Sequence, residues 1–458
     1  MSLIIAGERS GVGKTTVTLS ILAFLTRLKN KSVQGFKVGP DYIDPMFHTA
    51  ITGRYCRNLD PVLTSCDYVR SCFALHSNGA DYAVIEGVMG LFDGVNLYSE
   101  SDYASTAHIA RLLDIPVLLV LDCSRLSGSV AAIAHGFRTL DPRITIAGVV
   151  LNRVASDRHL ELLSEALKKI KMPILGVIRR HSEITIPDRH LGLIPTQELP
   201  EITQIFDKLA HIAQTSFNWD KLLPLLQSAI SNQPVSSNQQ SSSNQSIKIA
   251  VARDRAFNFY YQDNLDILSQ LGAEIHFWSP LKAQKIPADV SGFYFGGGFP
   301  EVFAQELAAN LTIKRQLLKL IKQDIPVYAE CGGLMYLCDR IIDLQNHSWK
   351  MIGIIPATAA MTPRLTLGYR QTFPVNESSL LCACDPFWGH EFHRSELSVV
   401  APQPLWKIKS CSYNSQAVLE GWQIHNLHAS YLHLHFGETK FLLKRWLNCC
   451  LNYKNQLV

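Results

Sequence analysis

One stretch limits how this chain can fold: residues 231–246, "SNQPVSSNQQSSSNQS", where 14 of 16 positions are Ser, Asn or Gln. So polar and monotonous a tract cannot bury enough surface to offset its ordering entropy, and it reads as a flexible linker. It rules out one continuous core and divides the 458 residues into segments 1–230 and 247–458, each large enough for a domain of its own.

Within segment 1–230, short apolar runs ("SLIIAG", "SVQGFKVG", "DYAVIEG", "PVLLVLD", "TIAGVVLN" and "PILGVI") alternate with helical patterns. Near-continuous apolar strands separated by helices predict a parallel sheet covered on both faces. The alternation restarts after the linker with "SIKIAVARD", "AEIHFWS", "SGFYFGGG" and "IPVYAEC". The expected fold class is therefore α/β, two doubly wound domains in series, with ligands at the carboxyl ends of the strands.

Composition narrows the function classes. Hydrophobic residues make up 47% and charged residues 18%, as suits buried sheets. A net charge of +4 with dispersed Lys and Arg gives no basic stripe for nucleic acid. The start, "MSLIIAGERSG", meets glycine and charge too early for a signal peptide, and no apolar run reaches the roughly 20 residues of a membrane span, so a cytoplasmic location is expected. The 11 cysteines include no C-x-x-C pair, which argues against a zinc site or a disulfide framework.

The first chemistry-bearing stretch is "IIAGERSGVGKTTVTLSILAFL", a strand, a glycine-rich turn and a helix opening at Lys14. Backbone N–H groups around Gly11 and Gly13, with Lys14, Thr15 and Thr16, suit a nucleotide's phosphates, and the Thr15 hydroxyl suits Mg²⁺. A Walker A spacing wants glycine where Glu8 stands; the glycine lies one position earlier, at Gly7. This longer loop resembles that of dethiobiotin synthetase and its relatives, which phosphorylate a carboxylate. In "FKVGPDYIDPMFH", Lys37 precedes Asp41 and Asp44, a pair that can share Mg²⁺, orient a substrate or simply be solvated turn residues. "VIEGVMGLFDG" ends a strand at Glu86 and places Asp93 in a glycine-rich loop; an acid at that edge is the usual metal partner of a P-loop. Thr15, Asp41 and Glu86 form the candidate metal set. Asn152, just past "GVVLN", is a candidate for the adenine edge or an ordinary turn residue.

The second stretch is "IPVYAECGGLMYL". A strand, then Cys331, then two glycines and a helical pattern running on through "LMYLCDRIIDL", has the layout of a nucleophile elbow whose helix dipole would favour a thiolate. A lone apolar-context cysteine is otherwise a packing residue. "FYFGGGFPE" offers backbone N–H groups of Gly297 and Gly298 as an oxyanion hole, and "NLHASYLHLHF" places His433 and His435 two apart on a β-like run, either being a possible base.

The second segment resembles a triad-type glutamine amidotransferase. That resemblance assigns the base role to His433 and sets His435 where the family keeps a glutamate. Together "SGVGKTT", "FKVGPDYIDP", "VIEGVMGLFDG", "IPDRHLGL", "GGGFPE", "AECGGLMYL" and "ASYLHLHF" resemble the cobyrinic acid a,c-diamide synthase family over nearly the whole chain. The resemblance implies a P-loop synthetase domain over 1–230 and an amidotransferase domain over 247–458. It further implies ATP- and Mg²⁺-dependent amidation of the a and c carboxylates of cobyrinic acid with glutamine or ammonia, through acyl phosphates, in cobalamin synthesis. Asp41, Asp44, Glu86 and Asp93 would serve the acyl-phosphate step, and Cys331 the glutaminase. Hydrogenobyrinic acid and nickel sirohydrochlorin are alternative substrates. A P-loop regulatory ATPase, the reading from another class, accounts for Lys14 but not for Cys331 with His433. Monomer and homodimer are both open, and the domains are expected to dock so that ammonia is sheltered.

Overall fold

The first apolar run forms β1, Ser2–Gly7, with all of its six residues buried. It is the middle strand of a seven-stranded sheet with β2 (Val33–Val38), β3 (Arg57–Leu59), β4 (Tyr82–Glu86), β5 (Val117–Asp122), β6 (Ile146–Val154) and β7 (Ile174–Arg179), in the order β3-β2-β4-β1-β5-β6-β7. All of its pairings are parallel. The six runs expected as strands are all present; the addition is β3, three residues long and too short for a periodicity signal. Helix α1, Lys14–Ala23, follows the glycine loop, and α2, Asp44–Thr52, follows β2.

The structure, a computed structural model, describes residues 2–98, 100–180, 187–226, 247–382, 386–411 and 416–456. The chain forms two compact units, Met1–Pro61 with Ser65–Ser237, and Val62–Thr64 with Asn238–Val458. The polar tract 231–246 lies outside the described residues.

The second unit carries an eleven-stranded mixed sheet. Its parallel half is β8 (Ile247–Ala252), β9 (Ala273–Trp278), β10 (Gly292–Phe295) and β11 (Val327–Glu330), the four expected strands. The rest comprises β12 (Cys338–Ile342), β13 (Ser348–Lys350), β14 (Ile355–Pro374), β15 (Phe387–Leu397), β16 (Pro404–Ser410), β17 (Val418–Ile424) and β18 (Leu427–Ser430). The order is β9-β8-β10-β11-β18-β17-β16-β14-β12-β13, with β15 on β14. β18 joins β11 in parallel and β17 antiparallel, so it is the seam between the two halves.

One expectation fails here. The helical pattern after Cys331 yields only α3, Gly332–Leu337; Cys338 turns to extended backbone and the chain continues as β12. Pairing of β12 with β13 and β14 supplies a full ladder to a segment holding Ile341 and Ile342, which overrides the short helical signal.

Alternation along β11 sends Val327, Ala329 and Cys331 to one apolar cluster and Tyr328 to the opposite one, where α4, Lys440–Gln456, packs Trp446 against the sheet. Among the described residues no helix is long and apolar enough to cross a membrane.

Candidate functional site

Each unit gathers its chemistry at the carboxyl ends of its parallel strands. In the first, Gly11 and Gly13 adopt φ of 77° and 98°, which lets the loop curl before α1. A Cβ on Gly13 would lie 2.3 Å from Asn152 Nδ2, so the loop and the end of β6 are in close contact. Lys14 folds back over the loop, its Nζ donating to the carbonyls of Arg9 and Met89. Burial and the neighbouring Lys37 lower its pKa to about 8.

Lys37 and Glu86 are register partners on β2 and β4, so their side chains meet at the sheet edge. Lys37 Nζ lies 2.6 Å from Asp44 Oδ2, 2.9 Å from Glu86 Oε1 and 3.6 Å from Asp41 Oδ2. The Thr15 hydroxyl donates to Glu86 Oε1 at 2.6 Å and lies 3.4 Å from Asp44 Oδ2. Burial and the Asp41 charge push Asp44 up to about 8, against Lys37. Burial also opposes the Glu86 charge, but Lys37, His48 and Thr15 outweigh it and hold that carboxyl well below the usual range. Asp41 folds the turn before α2, its Oδ1 accepting from the N–H groups of Ile43 and Asp44.

Sequence reasoning missed His48. Its Nε2 lies 2.7 Å from Glu86 Oε2 and its Nδ1 3.4 Å from Cys56 Sγ; opposing burial, Cys56 and Glu86 raise its pKa to about 10. A histidine one helical turn after Asp44 was the available signal.

Two expected residues lie outside the Lys37 ion-pair cluster, although the Asp93 charge still acts on Lys14. Asp93 is exposed and caps its own turn, accepting from Gly90 N at 2.7 Å. Asn152 gives its amide N–H to the Val12 carbonyl at 2.7 Å and accepts from Arg153 N, so it buttresses the phosphate loop. Thr16 lies half-buried in the first turn of α1.

The second site is drier. Cys331 is 3% exposed and held at φ 46°, ψ −99°, a conformation costly for any residue with a Cβ. Its N–H bonds the Ser430 carbonyl at 2.7 Å, and its Sγ lies 3.9 Å from the Phe392 carbonyl of β15. Gly298, at φ 150°, has no room for a Cβ, which would sit 2.2 Å from the Ala256 carbonyl oxygen. Its amide nitrogen is 3.1 Å from where a Cβ on Gly332 would be, so this backbone faces the cysteine turn. A Cβ on Gly297 would meet the His433 ring at 2.5 Å. The cysteine turn, the glycine pair and His433 therefore converge. Burial, then Glu301, Glu330 and Glu391, push the Cys331 thiol far up, so it rests protonated rather than as the dipole-stabilised thiolate expected from sequence.

The β-like run expected to carry both histidines ends at Ser430. His433 continues as a single bridge to His390, with backbone N–H···O distances of 2.8 and 3.0 Å. Its Nδ1 lies 3.5 Å from Glu330 Oε2. His435 is engaged elsewhere: Nδ1 accepts from Gly437 N at 3.2 Å and Nε2 lies 3.6 Å from Asp263 Oδ2. Glu330, next to the thiol in sequence, was overlooked; a carboxylate ending an apolar strand was its signal.

Comparison with known proteins agrees with this two-site layout. Residues 3–194 match the CobQ/CobB/MinD/ParA nucleotide binding domain, and residues 248–441 the CobB/CobQ-like glutamine amidotransferase domain. The cobyrinate a,c-diamide synthase of a Synechococcus species is 56% identical, covering 98% of each chain. That of a Synechocystis species is 50% identical, covering 100% of this chain and 95% of the relative. The enzyme of that name from Priestia megaterium is 39% identical over 99% and 98% of the two chains. On this full-length similarity, the chain belongs to the cobyrinate a,c-diamide synthase family.

Proposed function

We propose that this protein amidates the a and c side-chain carboxylates of cobyrinic acid, using ATP and glutamine or ammonia, in cobalamin synthesis. A carboxylate anion resists attack by ammonia, so it must first gain a leaving group. In the first unit a carboxylate oxygen attacks the γ-phosphorus and ADP departs, leaving an acyl phosphate. Ammonia then adds to the acyl carbon, and the C–O bond breaks with its electrons leaving on phosphate. Gly11, Gly13, Lys14, Thr15 and Thr16 hold the phosphates, while Lys37 neutralises charge on the transferring group. Thr15, Asp41 and Glu86, with Asp44, offer only oxygen donors, and the three carboxylates converge within 3.6 Å of Lys37 Nζ. That set fits Mg²⁺, which would draw charge from the phosphoryl oxygens.

The second unit supplies the ammonia. His433 takes the Cys331 proton as sulfur attacks the glutamine amide carbon, and N–H groups of Gly297 and Gly298 receive the oxyanion. Collapse returns the proton to the departing ammonia, and water hydrolyses the thioester to glutamate.

The observation that carries this reading is the strained Cys331 turn facing Gly298, with the adjacent Gly297 against the His433 ring, in a chain whose other unit holds the Lys37–Asp44–Glu86–Thr15 cluster. The test is mass spectrometry of products from cobyrinic acid, hydrogenobyrinic acid and nickel sirohydrochlorin, each with ATP, Mg²⁺ and glutamine. Conversion of two carboxylates to amides on cobyrinic acid alone is expected; amidation of another ring in its place would overturn the substrate.

A further inference from the structure

We propose that Glu330, the residue immediately before the nucleophile, is the positioning residue that orients His433. The proposal deepens the glutaminase reading above and rests on it.

The fold brings the two groups together across a long separation in sequence. Glu330 ends β11 on the face shared with Tyr328, while Cys331, one residue on, falls to the other face with Val327 and Ala329. Glu330 is register partner of Ser430 at the end of β18, and His433 follows three residues later. The strand pairing that aligns the nucleophile thus delivers its neighbour to the base.

The surroundings of Glu330 hold a carboxylate in one pose. It is 2% exposed, on a face lined by Leu432, Leu434, Phe436 and Trp446. A bare charge there would cost several kcal/mol. The Tyr294 hydroxyl donates to Oε2 at 3.2 Å, the Tyr328 hydroxyl donates to Oε1, and Leu434 N donates to Oε1 at 3.2 Å. Burial and the Glu330 charge raise both tyrosines well above their ordinary range, so both keep the proton they donate. Three donors fix an acceptor, and its Oε2 stands 3.5 Å from His433 Nδ1. A carboxylate there favours the tautomer with the proton on Nδ1, leaving Nε2, on the Gly297 side, as the base. It also stabilises the imidazolium formed when the thiol gives up its proton. Such contacts tighten when substrate binds.

Among the groups close to His433 are Glu330 from β11, His390 from β15 and Gly297 of the glycine loop. Burial, then the neighbouring His433, Arg370 and His393, keep His390 well below its normal range, hence neutral, while Glu330 brings a carboxylate to this ring.

The test compares Glu330→Gln and Glu330→Asp with wild type, measuring glutamine-dependent kcat and KM across pH and ammonia-dependent amidation in parallel. Loss of the charge removes what favours the imidazolium, so in Glu330→Gln the acid limb of kcat/KM moves down by about one pH unit. Its glutamine-dependent kcat falls at least ~100-fold with KM for glutamine within about threefold, and ammonia-dependent turnover is retained. Glu330→Asp restores the acid limb to its wild-type position with an intermediate kcat. A wild-type kcat and acid limb in Glu330→Gln overturns the proposal. So does an equal loss of glutamine- and ammonia-dependent turnover in both variants, the mark of a purely structural role. Cys331→Ala separates the two readings: glutamine-dependent turnover surviving in it defeats the glutaminase reading, whereas a silent Cys331→Ala beside an unaffected Glu330→Gln defeats only the role of Glu330.

Discussion

The two sites occupy the same place in their sheets and use opposite physics. The first crowds charge: Lys37 meets three carboxylates within 3.6 Å, and Lys14 waits nearby at a lowered pKa. The second has a protonated thiol, a strained backbone and one buried carboxylate reaching a histidine. Phosphoryl transfer makes no covalent bond to the protein, so positioning and charge do the chemistry. The proposed glutamine hydrolysis would pass through a covalent thioester, a route that needs a nucleophile, a proton acceptor and an oxyanion site in a dry place.

If the sites differ in this way, damage to each should be read differently. Lys14→Ala should lower amidation at least ~1000-fold with glutamine and ammonium alike, because in the proposed mechanism both nitrogen sources need the acyl phosphate. Ammonia-dependent turnover persisting in that variant would detach Lys14 from ATP. Gly298→Ala must place a Cβ 2.2 Å from the Ala256 carbonyl oxygen at φ 150°. It should cost about 1–3 kcal/mol of stability and reduce glutamine-dependent turnover on the order of 100-fold, leaving ammonia-dependent turnover in place. Thermal melts with parallel assays of the two nitrogen sources would check it.

Smaller effects test the resting proton positions. With its thiol far above the ordinary range, Cys331 should be alkylated by iodoacetamide at pH 7.5 roughly tenfold more slowly than a free thiol, as read by peptide mass mapping. Rapid labelling would mean a thiolate at rest. In the first unit the sign runs the other way. Lys14, lowered to about 8, is partly neutral at pH 8.5 without nucleotide, and a bound phosphate raises it again. ATP binding should therefore take up a fraction of ~1 proton at pH 8.5 and almost none at pH 6.5. Calorimetry in two buffers of different ionisation enthalpy measures this, and equal uptake at both pH values contradicts the assignment.

The parallel strands were legible because burial on both faces writes a continuous apolar run, as in Ile4, Val84 and Leu119. The antiparallel region from β14 to β17 was not, since its exposure alternates irregularly along strands such as Ile355–Pro374. Lys14, Thr15, Lys37, Asp44 and Glu86 were legible as a group because each sits at a strand end or helix start with a motif around it. Glu330 and His48 were not, because their meaning lies in partners distant in sequence: Glu330 is 36 residues from Tyr294 and 104 from Leu434, and His48 is 38 from Glu86. His435 shows the converse, a place suggested by alignment but occupied by a ring committed to Gly437 and Asp263.

The division of labour between the two units is tested most directly by the yield of diamide from Cys331→Ala, measured by mass spectrometry with glutamine and, separately, with ammonium chloride. The account predicts no diamide from glutamine and near-wild-type diamide from ammonium. Equal diamide from both sources, or none from either, would contradict it.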